Sequence, residues 1–148
     1  MYLGFVIMFL AGLLNPYNAY LNDSADVLKV KATGIAEDYT FSVTLESPDT
    51  GCDQYANWWE VISPGGELLY RRILGHSHVN EQPFTRSGGP VQISDDQEVI
   101  IRAHMNNTGY GGKALIGSVK AGFEPVVLKK GFAVNLETEE PQPSGCAF

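Results

Sequence analysis

Apolar and polar residues alternate with a period of two along several short stretches, and no stretch carries the 3.6-residue period of an amphipathic helix. Residues 39–46 alternate most cleanly. Tyr39, Phe41, Val43 and Leu45 fall on one face, and Thr40, Ser42, Thr44 and Glu46 on the other. Successive side chains of a strand point to opposite sides of the sheet, so this segment reads as a half-buried strand. Residues 27–32 repeat the pattern, with Leu28, Val30 and Ala32 inward and Lys29 and Lys31 outward. Residues 98–105 repeat it again, with Val99, Ile101, Ala103 and Met105 inward and Ile100, Arg102 and His104 outward.

Between these segments lies a hairpin pattern over residues 56–74, with Pro64-Gly65 as its turn. Proline presets φ at the second turn position and glycine supplies positive φ at the third, a type II arrangement. A two-residue turn there sets Ile62 opposite Glu67, Val61 opposite Leu68, Glu60 opposite Leu69, Trp59 opposite Tyr70 and Trp58 opposite Arg71. One face then holds Trp59, Val61, Leu68 and Tyr70, with no charge, and belongs to the core. The other holds Trp58, Glu60, Ile62, Leu69 and Arg71.

The remaining segments are shorter. Residues 79–90, rich in glycine and proline, read as a long irregular connection, followed by a short strand at 91–94. Residues 113–120 return as a hairpin partner of 98–105, and 126–128 and 132–136 supply one or two last strands. Seven or eight short strands with turns at this spacing predict an all-β fold, an antiparallel immunoglobulin-like β-sandwich. In that arrangement the third and sixth strands are neighbours. The chain of 148 residues divides into a leader and cleavage region at 1–25, the sandwich at 26–136, and a flexible acidic tail at 137–148.

Residues 2–14 form an apolar run, too short for the about 20 residues of a membrane span and suited to the apolar region of a secretory signal. No Lys or Arg precedes the run, and no Cys follows it closely enough to suggest a lipid-anchor site there. The expected location is secreted or periplasmic, with no stable membrane span after cleavage. In an oxidising compartment Cys52 and Cys146 would form one disulfide; two independent thiols are the other reading. The net charge of −7 argues against generic nucleic-acid binding.

Three groups of residues carry candidate chemistry. His76 and His78 share a face of an extended segment, and with His104 they would make a three-histidine zinc or copper site. The alternative is that they hydrogen-bond loop backbone. The outward face of the central sheet gathers Trp58, Glu60, Arg71, Arg102 and His104. An aromatic platform beside guanidinium, carboxylate and imidazole groups suits a small anionic ligand or a carbohydrate. A solvated face of cross-strand pairs is the plainer reading. Asp49-Thr50-Gly51 looks like the active-site motif of retroviral-type aspartic proteases. However, Ser47-Pro48 stands where that motif needs apolar strand residues, and Asp-Thr-Gly is an ordinary turn sequence.

The segments DTGCDQYANWWEV, LLYRRILGHSHVNEQPFTRSGGPV and RAHMNNTGYGG together resemble a family of small exported bacterial proteins of unassigned function, over residues 36–121. That resemblance implies export and no particular reaction, cofactor or partner. The residues thus favour a binding or structural module over an enzyme, with a metal-dependent protein as the second reading.

Overall fold

The computed structural model describes residues 23–148; the apolar run and most of the expected leader lie outside the described residues. Eight strands form among the described residues: β1 (Asp26–Ile35), β2 (Asp38–Glu46), β3 (Ala56–Ile62), β4 (Leu68–Ile73), β5 (Phe84–Val91), β6 (Val99–Met105), β7 (Ala114–Ser118) and β8 (Gly122–Val126). A short 3₁₀ turn, Val134–Thr138, follows them. One sheet has the order β1-β2-β5 and the other β4-β3-β6-β7-β8, antiparallel throughout. This is the expected antiparallel β-sandwich, with β3 beside β6 at the centre of the larger sheet.

The core between the sheets follows the alternation. Tyr39, Phe41, Val43 and Leu45 of β2 meet Trp59 and Val61 of β3 and Val99, Ile101, Ala103 and Met105 of β6, all buried. Two local departures have clear causes. A bulge in β1 between Val27 and Lys29 shifts the pairing, so Val27 is buried and Leu28 faces solvent. The glycine-proline stretch read as a loop is β5 itself. Its hydrophobic alternation is broken where two positions must be small: a Cβ on Gly88 would stand 2.4 Å from the Tyr70 hydroxyl, which reaches over from β4, and one on Gly89 would stand 2.6 Å from the Tyr39 carbonyl oxygen.

The hairpin turn also differs from expectation. Gly66 N–H donates to Ser63 C=O at 2.9 Å, so Pro64 and Gly65 do occupy the middle of a turn, but the positive φ falls on Gly66 (89°). The loop is therefore three residues long, and Ile62 pairs with Leu68. A bulge between Val61 and Ile62 moves the register once more, so Val61 faces Tyr70 and Glu60 faces Arg71. Two one-residue displacements restore the original faces for Tyr70 and Arg71, while Leu68 and Leu69 exchange theirs. Leu69 packs on the inter-sheet core, and Leu68 joins Ile62 on the opposite side.

That opposite side is the largest correction. The outer face of the β3–β6 region is not solvated. Ile62, Ile100, Ala114 and Leu136 form a second core there, flanked by Val126, Leu128 and Phe132. Residues 127–148 lie across the sheet as a third layer, and the Cys52–Cys146 disulfide holds their end, with the Cα atoms 5.7 Å apart. The acidic stretch expected as a flexible tail is part of this cover. Composition reports its polar side chains, but what binds it to the sheet is its backbone carbonyls, which composition does not reveal.

Candidate functional site

Glu60, Arg71 and Arg102 sit side by side across three strands, because Glu60 of β3 pairs with Arg71 of β4 on one side and Arg102 of β6 on the other. Their side chains therefore leave the sheet on the same face. Glu60 is fully buried (0% exposed). Its Oε2 accepts from Arg71 Nε at 2.9 Å and Nη2 at 2.7 Å, and its Oε1 accepts from Arg102 Nε at 2.8 Å. Two cations around one anion leave an excess positive charge and many unused donors.

The covering segment supplies the acceptors. Arg71 Nη2 donates to Leu136 C=O at 2.6 Å, and its Nη1 donates to the carbonyls of Glu139 and Pro141. All five Arg71 N–H groups are thus engaged. Arg102 donates to Phe132 C=O at 2.7 Å and to Ala133 C=O at 2.8 Å. Each guanidinium also lies over one aromatic ring: Arg71 is 4.4 Å from the Trp58 ring centroid and Arg102 is 3.4 Å from that of Tyr110. Burial and the Glu60 charge raise the Tyr110 phenol above its ordinary pKa.

The five residues expected as an open platform are therefore together but covered: Trp58, Glu60, Arg71, Arg102 and His104 are all buried. What stays open is the edge of this cluster. His104 stacks on Trp58 at 3.7 Å with the rings 6° apart, and its Nδ1 lies 2.7 Å from Asn57 Oδ1. Burial, then the charges of Arg71 and Arg102, hold His104 at a pKa of about 3, so the ring is neutral at ordinary pH. Trp58, Asn57 and His104 border an open cleft of about 690 Å³ whose other walls include Asn107, Glu137 and Gln142.

The other two histidines have separate neighbours. His78 stacks on Phe84 at 3.7 Å, and His76 packs between His78 and Phe148. His104 does not join them, and among the described residues no three His, Cys, Asp or Glu side chains converge on a metal-sized space. The segment is instead ordered by Asp49. Its Oδ1 accepts from Ser47 Oγ at 2.8 Å and Ala56 N–H at 2.9 Å, and its Oδ2 accepts from His78 N–H at 2.8 Å. Both carboxylate oxygens of the Asp-Thr-Gly motif thus tie together the two loops that flank the hairpin.

The sequence reading missed Asn57, Tyr110 and Glu137. Asn57 precedes Trp58 on β3, yet its Oδ1 meets a ring on the neighbouring strand. Tyr110 sits in a glycine-rich loop, and a polar loop gives no sign that its aromatic ring folds back over Arg102. Glu137 belongs to the stretch whose composition predicts a tail. The one available signal was the charge pattern: Arg102 on the sixth strand needed an acceptor that its own face did not fully provide.

Over 83 residues the chain is 41% identical to a protein of Halomicrobium mukohataei named "Putative lipoprotein". The match takes in 55% of this chain and 40% of that protein, so the chain spans about two fifths of the length of the curated relative it matches. No family model matches the chain. No solved structure matches it either.

Two outcomes follow from the charges. Glu60→Leu leaves two guanidinium groups buried without their anion, which costs about 3–5 kcal/mol. Urea denaturation measures it, and a loss under about 1 kcal/mol would contradict the buried-pair description. The second concerns His78, whose two ring nitrogens are buried without hydrogen-bond partners. Its pKa is lowered by burial, then by Arg86 and His76, against opposing contributions from Asp49 and Glu81. A histidine with a folded pKa below its unfolded value of about 6.5 gives full stability above that pH and loses it as pH falls, at up to about 1.4 kcal/mol per pH unit. The His78 ring should accordingly titrate below the ordinary histidine range of about 6.5 in an NMR titration, and protonation at an ordinary pKa would refute its burial.

Proposed function

We propose that this chain is an extracytoplasmic β-sandwich module, secreted or periplasmic, that works by binding or by structural contact and not by catalysis. The Cys52–Cys146 disulfide carries the reading. It joins cysteines 94 positions apart, and such links persist in oxidising compartments. Among the described residues no helix is long and apolar enough to cross a membrane. The relative named as a lipoprotein supports export, and lipid attachment is a property its name gives to that protein alone. Both cysteines of this sequence are joined to each other, so neither carries a lipid.

The binding surface on this reading is the cleft beside Trp58 and His104, not the sheet face beneath the covering segment. With Arg71 and Arg102 already supplied with acceptors, the cleft offers amides, an aromatic edge and the Glu137 carboxylate. Those groups favour a carbohydrate over a small anionic ligand.

Expression from the full sequence followed by cell fractionation tests export. The expected result is an extracytoplasmic chain with no thiol available to an alkylating reagent under denaturing conditions. A cytoplasmic chain with two alkylated cysteines would overturn it. Titration of tryptophan fluorescence with simple sugars and dicarboxylates tests the cleft. The expected response is a saturable change with sugars at millimolar concentration, and a response to dicarboxylates alone would reverse the ligand assignment.

A further inference from the structure

His104 and Glu137 face each other across the mouth of the cleft in an arrangement that hydrogen bonding does not explain. His104 Nε2 and Glu137 Oε1 are 3.4 Å apart, and no hydrogen bond joins them. The other ring nitrogen, Nδ1, is 2.7 Å from Asn57 Oδ1. With the Asn57 amide oxygen turned toward it, Nδ1 of the neutral ring carries the proton and Nε2 presents a lone pair. A lone pair and a carboxylate oxygen at this distance have no proton between them to share. Two facing acceptors repel each other unless a cation or a shared hydrogen-bond donor lies between them.

The geometry suits a metal ion. Zinc binds a histidine nitrogen at about 2.0–2.1 Å and a carboxylate oxygen at about 2.0–2.2 Å, and two such ligands of a tetrahedral ion lie about 3.4 Å apart. The orienting hydrogen bond from Nδ1 to Asn57 is the kind that a ligating histidine makes with its second nitrogen, since it holds the ring plane and leaves the lone pair directed. Stacking on Trp58 at 3.7 Å holds the same plane from its face. The backbone is shaped for the approach as well. A Cβ on Gly109 would stand 2.6 Å from Glu137 Oε1, and at φ 75° that position is one a side chain rarely adopts. Glycine there keeps the space around the carboxylate free.

We propose that His104 Nε2 and Glu137 Oε1 form a two-point site for a divalent transition-metal ion of the zinc or copper kind, with its remaining coordination positions open to the cleft. Imidazole and carboxylate together suit these ions. Two protein ligands give modest affinity and leave positions for water or for a small oxygen-donor ligand. The site is different from a three-histidine centre, because it uses neither His76 nor His78. It also stands apart from the export reading, since it rests only on the cleft.

Calorimetric titration of the disulfide-intact chain with Zn²⁺ alone tests the proposal, alongside Glu137→Gln, His104→Gln and His76→Ala. One equivalent should bind, His76→Ala should bind unchanged, and Glu137→Gln should bind at least about tenfold more weakly. The Glu137 side chain makes no hydrogen bond among the described residues, so its replacement leaves the fold intact even where His104→Gln does not. Imidazole ¹⁵N spectra should show the His104 Nε2 resonance, and not those of His76 or His78, moving on zinc addition. Absence of binding at millimolar zinc, equal affinity in Glu137→Gln, or loss of binding in His76→Ala would each overturn it.

Discussion

The outer half of this molecule depends on one carboxylate. Glu60 is fully buried between two guanidinium groups, and its two oxygens accept three hydrogen bonds from them. Taking such charges out of water costs several kcal/mol per ion, so the arrangement holds only when further acceptors meet the guanidinium donors. Glu60 cannot meet them all. The carbonyls of Leu136, Glu139 and Pro141 take up the remaining donors of Arg71, those of Phe132 and Ala133 take one from each terminal nitrogen of Arg102, and these contacts hold an irregular segment down on the sheet. The second apolar core and the disulfide then hold the segment in place. For a link of this span the chain-entropy model gives about 4–5 kcal/mol.

This cover changes what the central sheet is for. An exposed set of tryptophan, arginine, glutamate and histidine would recruit a ligand from solution. Here the chain's own backbone takes the place of that ligand. The chemistry left to the surface moves to the rim, where His104 is neutral, stacked and held by Asn57, and where Glu137 arrives from the covering segment. The cleft lies where the ends of the central strands meet the covering segment.

The same economy explains the loops around the hairpin. Asp49 gives three hydrogen bonds' worth of acceptance to Ser47, Ala56 and His78, so the histidine loop is anchored from a turn 29 positions earlier in sequence. Sequence spacing within His76-Ser77-His78 suggested metal ligation, since alternate residues of an extended segment share a face. The rings do lie close, 4.4 Å between centroids, but His78 packs on Phe84 and His76 on Phe148.

By itself the sequence determined the sandwich and the inward residues of β2 and β6, because period-two burial is written residue by residue, and the strand order of such a sandwich supplied the pairing of β3 with β6. It also determined that Trp58, Glu60, Ile62, Arg71, Arg102 and His104 leave the central sheet on its far side, although not Leu68, which exchanges faces with Leu69. The tertiary structure alone decided that this side is covered, that Gly66 and not Gly65 takes the positive φ of the hairpin loop, and that Glu60 faces Arg71. The reason is physical. A strand's alternation says that a face is polar, but whether a polar face meets water or a set of backbone carbonyls depends on where a distant segment comes to rest. Backbone acceptors are the same in every residue, so no side-chain pattern in residues 127–148 announces them.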